Sequence, residues 1–200
     1  MHLVCLDLEG VLVPEIWIAV AEKTGRPELR RTTRDEPDYD KLMRYRLALL
    51  DRHGITLPQI QEVIGTLRPL DGALEFIAWL RARTQLVILS DTFEQFAAPL
   101  MRQLGWPTLL CHELEVAPTG RITGYRLRMP EQKRHAVAAF RGLKYEVIAA
   151  GDSHNDLAML QAANHGILFR PTEAFATANP QFPVTRDHPA LRAEIDKLLG

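Results

Sequence analysis

Cysteine is scarce in this chain: of 200 residues only Cys5 and Cys111 carry a thiol. Each sits in an apolar run, so both read as small buried hydrophobes and not as a disulfide pair. An excess of either charge is also missing, since 24 basic and 25 acidic side chains leave a formal net charge of −1. That balance argues against nucleic acid or a membrane surface as the main partner. No apolar run approaches the length of a membrane span, and no leader-like sequence opens the chain. The expectation is a soluble cytoplasmic protein. The seven histidines never stand at zinc-ligand spacing with a cysteine or with one another. Internal repeats and low-complexity segments are absent too.

What is present is a 46% hydrophobic composition, enough for a full core and consistent with one domain plus a modest insertion. The first stretch, His2 to Leu12, is a short apolar run that ends abruptly in Asp7, Glu9 and Gly10. It reads as a buried central strand of a parallel sheet, whose carboxyl end is where such sheets bind ligands. Gly10 permits a sharp turn and is expected to leave its amide open to an anion.

From Pro14 to Arg68 the pattern is helical: Glu15 to Lys23, ended by Gly25, then a charge-rich segment from Leu29 to Tyr39. An amphipathic helix from Tyr39 to Arg52 follows, and a short one from Leu57 to Gly65. After Pro69 the pattern alternates. Asp71 is placed to cap a helix, Leu86 to Leu89 is a buried strand ending at Ser90-Asp91, and Phe93 to Leu104 is helical. Thr108 to Cys111 reads as a strand and Glu113 to Arg128 as a β-hairpin. Glu131 to Phe140 is a helix, and Glu146 to Ala150 is a strand running into Gly151-Asp152-Ser153-His154-Asn155-Asp156. Leu157 to Ala162, Gly166 to Phe169 and Ala190 to Leu199 complete the series as helix, strand and helix. Strands alternating with helices predict an α/β fold with a doubly wound parallel sheet: residues 1–13 and 69–200 form the core, and 14–68 a helical unit inserted after the first strand.

Three strand ends carry polar clusters: Asp7/Glu9, Ser90-Asp91 and Asp152/Asn155/Asp156. In a parallel sheet they converge on one edge. Carboxylates gathered there repel unless a cation joins them, and an oxygen-only donor set with room for water suits Mg²⁺. Asp7, the backbone carbonyl of Glu9 and Asp152 are its expected ligands. Lys133 lies in the first turn of its helix, where the macrodipole disfavours a cation. Either solvent or an anion compensates it there.

These four segments, in this order, resemble the haloacid-dehalogenase superfamily of aspartate-nucleophile phosphotransferases. The likeness covers the whole chain, with Asp7-Leu8-Glu9-Gly10-Val11, Leu89-Ser90-Asp91, Lys133 and Gly151 to Asp156 standing at the four motifs. The helical insertion looks like the C1 cap of the phosphoserine phosphatases. Glu9 departs from the pattern, since the superfamily's phosphatases carry an aspartate there. The run from Asp7 to Trp17 is similar to the branch that joins phosphoserine phosphatase with phosphoserine:homoserine phosphotransferase activity.

The resemblance implies Asp7 as nucleophile and Glu9 as general acid and base. Ser90, Asp91, Lys133 and Asn155 would lie around the phosphate, and Asp156 would orient the metal's water shell. Glu15 and Arg46 would hold the substrate's ammonium and carboxylate. O-phosphoserine and homoserine are the implied small-molecule partners. A signalling receiver domain gathers similar residues but is shorter and lacks the insertion. A non-catalytic binding module is suggested only by Glu9. Within enzymes the alternatives are a phosphatase that excludes homoserine, or one for another small phosphometabolite.

Overall fold

A computed structural model describes residues 1–33, 35, 36 and 38–200 of the chain. Arg34 and Pro37, which belong to the charge-rich segment between Leu29 and Tyr39, lie outside the described residues. The strands are β1 (His2–Leu6), β2 (Gln85–Phe93), β3 (Thr108–Val116), β4 (Ile122–Arg126), β5 (Glu146–Gly151), β6 (His165–Phe169) and β7 (Val184–Thr185). They form one sheet in the order β4-β3-β2-β1-β5-β6-β7. Every pair is parallel except β3 with β4.

The helices are α1 (Ile16–Thr24), α2 (Tyr39–Arg52), α3 (Leu57–Thr66), α4 (Ala73–Arg81), α5 (Glu94–Gln103), α6 (Gln132–Gly142), α7 (Leu157–Ala162), α8 (Glu173–Ala178) and α9 (His188–Leu199). The strands alternate between two apolar clusters, as a two-sided sheet requires. Val4, Leu6, Ile88, Ile148 and Ile167 pack on one face with Phe76, Phe96, Leu100, Leu191 and Ile195 of α4, α5 and α9. Leu3, Cys5, Val87, Val147 and Leu168 pack on the other with Val137, Met159 and Phe175 of α6, α7 and α8. The α/β fold with a doubly wound sheet is as the sequence predicted.

Helices α1–α3 lie between β1 and α4, and their apolar residues Trp17, Val20, Met43, Ile60 and Ile64 join the first cluster. Where the chain leaves and re-enters the sheet, the Leu70 amide donates to the Leu12 carbonyl at 2.9 Å, which ties the two connections side by side. Asp38 starts α2 by accepting from the Lys41 amide, and Gly25 ends α1 at φ 65°.

Several elements differ from the sequence reading. Strand β2 continues through Ser90-Asp91-Thr92 to Phe93, with a register shift against β3 between Leu89 and Phe93. Thr108 to Val116 is one continuous strand, pairing first with β2 and then with β4, so the hairpin is the outer half of β3. Asp71 does not cap α4; it is exposed, and Gly72 at φ 81° occupies the cap position with no side-chain bond. Cys111 is only half-buried, because the outer part of β3 is covered on fewer sides, while Cys5 is fully buried. Helix α8 and strand β7 are too short to leave a periodic signal. No helix among the described residues is long and apolar enough to cross a membrane.

Candidate active site

The loop after β1 is shaped by its own backbone. The Asp7 amide still pairs with the Ala150 carbonyl at 3.0 Å, so the nucleophile candidate sits at the last rung between β1 and β5. The Leu12 and Val13 amides both donate to the Leu8 carbonyl, and the Gly10 amide donates to the Val13 carbonyl at 2.8 Å. Gly10 is therefore not open to an anion, contrary to the sequence expectation: its amide closes the turn. Its glycine identity has two other reasons. Its φ is 79°, and a Cβ there would stand 2.6 Å from Asp152 Oδ2.

Four charged groups meet under this loop. Lys133 Nζ lies 2.9 Å from Asp7 Oδ1, 2.7 Å from Asp156 Oδ1 and 3.6 Å from Asp91 Oδ2. Asp7, Lys133 and Asp156 are all buried, so Lys133 is no solvated lysine. Its ammonium faces opposite charges, which hold its pKa well above the usual lysine value against the effect of burial. Burial, with Asp156 and then Asp152 as like charges, pushes the Asp7 carboxyl well up, and Lys133 opposes that shift.

Asp7, Asp152 and Asp156 each offer a carboxylate oxygen, all within 4.8 Å of one another. Asp156 is the buttress among them. Its Oδ1 accepts from Lys133, and its Oδ2 accepts from the Asp152 and Ser153 amides at 2.9 and 3.3 Å. Gly151 makes this possible, since a Cβ there would lie 2.4 Å from the Asp156 side chain. An all-oxygen, like-charged set that raises the pKa of its own member fits a hard divalent cation.

The second strand end supplies Ser90, Asp91 and Thr92. Ser90 is buried, and its Oγ accepts from the Thr92 amide at 3.3 Å. Asp91 faces two ways. Its Oδ2 receives Asn155 Nδ2 at 3.2 Å, while Oδ1 faces His112 Nε2 at 3.6 Å and Gln132 Nε2 at 3.5 Å. Burial raises its pKa, but Lys133, His112 and Asn155 outweigh that and hold it well below the usual carboxylate range. The Tyr39 hydroxyl, at the start of α2, donates to the Asp91 carbonyl at 2.8 Å. Gln132 donates to the Ser90 carbonyl and accepts from Arg128 Nη2.

The inserted helices close the other side. A cavity of about 80 Å³ is lined by Asp7, Glu9, Ser90, Asp91, Asp152 and Asn155 from the sheet edge and by Glu15, Trp17, Tyr39 and Arg46 from the insertion. Glu9 Oε2 accepts from the Ile16 amide at 2.8 Å, which anchors the glutamate to the start of α1. Burial pushes the Glu9 carboxyl up to about 7, and the nearby Glu15 adds to it. Arg46 is buried on α2; its Nη2 donates to the Arg31 carbonyl at 2.8 Å, while its Nε has no hydrogen-bond partner. Burial lowers its pKa to about 10.

Residues 1–164 match a family model described as haloacid dehalogenase-like hydrolase. The chain belongs to the haloacid dehalogenase-like hydrolases. Among similar hydrolases of the curated set, phosphoserine phosphatase ThrH of Pseudomonas aeruginosa is 59% identical over 197 residues, covering 98% of this chain and 96% of its own. A phosphoserine phosphatase of Pseudomonas syringae pv. tomato is 57% identical, covering 98% of this chain and 83% of its own. A substrate-bound phosphoserine phosphatase complex shares the fold, with a TM-score of 0.80 at 19% identity, over 98% of this chain and 97% of that one.

Of the site residues expected from the sequence of this hydrolase, Asp7, Glu9, Glu15, Arg46, Ser90, Asp91, Asp152 and Asn155 line the one cavity, and Lys133 and Asp156 stand beside it, with Lys133 bonded to both Asp7 and Asp156. Reading the sequence missed Trp17, Tyr39, His112 and Gln132. Trp17 and Tyr39 stand at ordinary helical apolar spacing, so nothing local separates them from core residues. Gln132 adjoins Lys133, and that adjacency was the one usable signal.

Proposed function

We propose that this hydrolase is a phosphoserine phosphatase that forms a phosphoaspartyl enzyme at Asp7 and passes the phosphoryl group to water or to homoserine. The observation that carries the reading is the cavity lined by Asp7, with Lys133 bonded to it, and by Ser90 on one side, and by the buried, incompletely bonded Arg46 with Glu15 on the other. One end suits a phosphate and the other an amino acid's carboxylate and ammonium. The similar curated proteins named above are phosphoserine phosphatases, which supports the same substrate.

Asp7 Oδ1 is held by Lys133 and by the Leu8 amide at 2.8 Å, so Oδ2 is the candidate attacking oxygen. It bonds to phosphorus in line as the bond from phosphorus to the serine oxygen breaks. Glu9 donates a proton to that oxygen, and serine leaves. Glu9 then takes a proton from water or from the homoserine hydroxyl as that oxygen attacks the phosphoryl group, and Asp7 is released. Lys133, Ser90 and Asn155 hold the phosphoryl oxygens, while Asp91 fixes Asn155 and Lys133 from behind. Asp7, the Glu9 carbonyl and Asp152 would hold Mg²⁺, with Asp156 behind them, and a bound Mg²⁺ supplies charge neutralisation for those oxygens. Residues 14–68 act as the cap.

Homoserine fits the same anchors because it keeps serine's ammonium, carboxylate and terminal hydroxyl and adds one methylene, a difference worth only about 1–3 kcal/mol in discrimination. Product analysis from phosphoserine with and without homoserine tests both halves of the reading. Phosphate release alone at saturating homoserine would leave plain phosphatase. No phosphate release and no transfer would remove phosphoserine as the substrate.

A further inference from the structure

Arg46 presents an unusual electrostatic arrangement for a buried cation. It is 6% exposed, yet no carboxylate lies within ion-pair distance of it among the described residues. Glu9 and Glu15 act on it only through space. Its hydrogen bonds go to the Arg31 carbonyl and, weakly, to Met43 Sδ at 3.7 Å, and Nε is unpartnered. Burying an unpaired guanidinium is costly. Beside those through-space charges, the aromatic group in direct contact with the cation is Trp17: the guanidinium carbon lies 4.4 Å from the centre of the indole ring. A desolvated cation over tryptophan is the stronger form of that attraction.

Trp17 is itself fixed. It is 7% exposed and packs edge-on against Phe96 at 5.4 Å, and Phe96 packs edge-on against Phe93 at 5.6 Å. The indole also lines the cavity that contains Asp7 and Glu15. A carboxylate partner in its place would compete with the carboxylate of an incoming substrate. An aromatic face compensates the charge without occupying the edge of the guanidinium that forms bidentate pairs.

We infer that Trp17 is a positioning residue: its indole holds Arg46 as a preorganised, unpaired cation, and so sets a preference for phosphomonoesters that carry a carboxylate. This rests on the reading of phosphoserine as substrate. The test uses the ratio of kcat/KM for O-phosphoserine to that for O-phosphoethanolamine, which keeps the ammonium and the phosphate and lacks the carboxylate. Trp17→Leu should lower that ratio about tenfold, equal to about 1.4 kcal/mol, whereas Trp17→Tyr, which keeps an aromatic face, should retain most of it. A second readout is the Arg46 Nε–H resonance, assigned by its loss in Arg46→Lys. Ring current should displace it in the wild type and in Trp17→Tyr, and the displacement should vanish in Trp17→Leu. An unchanged ratio in Trp17→Leu, or a resonance that stays in place, overturns the proposal. A wild type with no preference between the two esters overturns the substrate reading first, and the role assigned to Trp17 with it.

Discussion

At the scale of residues, the carboxylates of the site differ in the set of groups that holds each one. Asp7 shares Lys133 with Asp156, Glu9 is tied to the Ile16 amide, and Asp91 is held by His112, Gln132 and Asn155. Glu9→Gln keeps a hydrogen-bonding group but loses the transferable proton, so kcat should fall by about 10²–10⁴-fold in steady-state assays. Arg46→Ala should raise KM for phosphoserine and cut kcat/KM by at least about 30-fold, the minimum for losing a buried charge pair. Asp91 gives a pH prediction. Its folded pKa is depressed, so its contribution to stability is present above the unfolded value of about 3.9 and is lost as pH falls through the folded value. The difference in thermal midpoint between wild type and Asp91→Asn should be widest near neutral pH and should shrink as pH is lowered through 4. A constant difference would show that the Asp91 charge adds nothing.

At the scale of elements, the site depends on three strand ends and the turns that leave them. The loop after β1 folds back on the Leu8 carbonyl and closes through the Gly10 amide, which brings Gly10 against Asp152. Gly10→Ala should destabilise the protein by about 1–3 kcal/mol, because it combines a strained φ with a close approach. Denaturant unfolding would measure that loss. The elements themselves were largely legible in the sequence. Apolar runs marked β1, β5 and β6, because strands covered on both faces need hydrophobic residues at every position. The continuation of β2 through Ser90-Asp91-Thr92 was not legible. Polar residues ordinarily end a strand, and here the sheet edge and Gln132 satisfy them. The joining of β3 across Cys111 and His112 was hidden for a similar reason, as its partner changes from β2 to β4 midway.

At the scale of the molecule, the sheet edge and the inserted helices meet at one cavity, and the proposed reading gives the first the phosphate and the second the amino-acid end of the substrate. The residue types at the strand ends were readable in the sequence because a charge at a buried edge has few structural uses. The support behind them was not readable. That Trp17 lies under Arg46, or that Tyr39 bonds to the Asp91 carbonyl, depends on how α1 and α2 are turned over the sheet, and helical spacing alone does not give that orientation. The acidic cluster of Asp7, Asp152 and Asp156 gives a prediction for the whole enzyme. Chelation should abolish turnover and Mg²⁺ should restore it, with Ca²⁺ a poor substitute because of its looser coordination. Activity assays across a chelator titration check this.

The central claim is that Asp7 carries the phosphoryl group between serine and the acceptor. Rapid acid quenching of the enzyme during turnover of phosphoserine, followed by peptide mapping by mass spectrometry, tests it most directly. The account predicts a phosphorylated peptide with the modification on Asp7, formed within a turnover and absent from Asp7→Asn. A quenched enzyme that turns over phosphoserine yet never carries phosphate on Asp7 would contradict it.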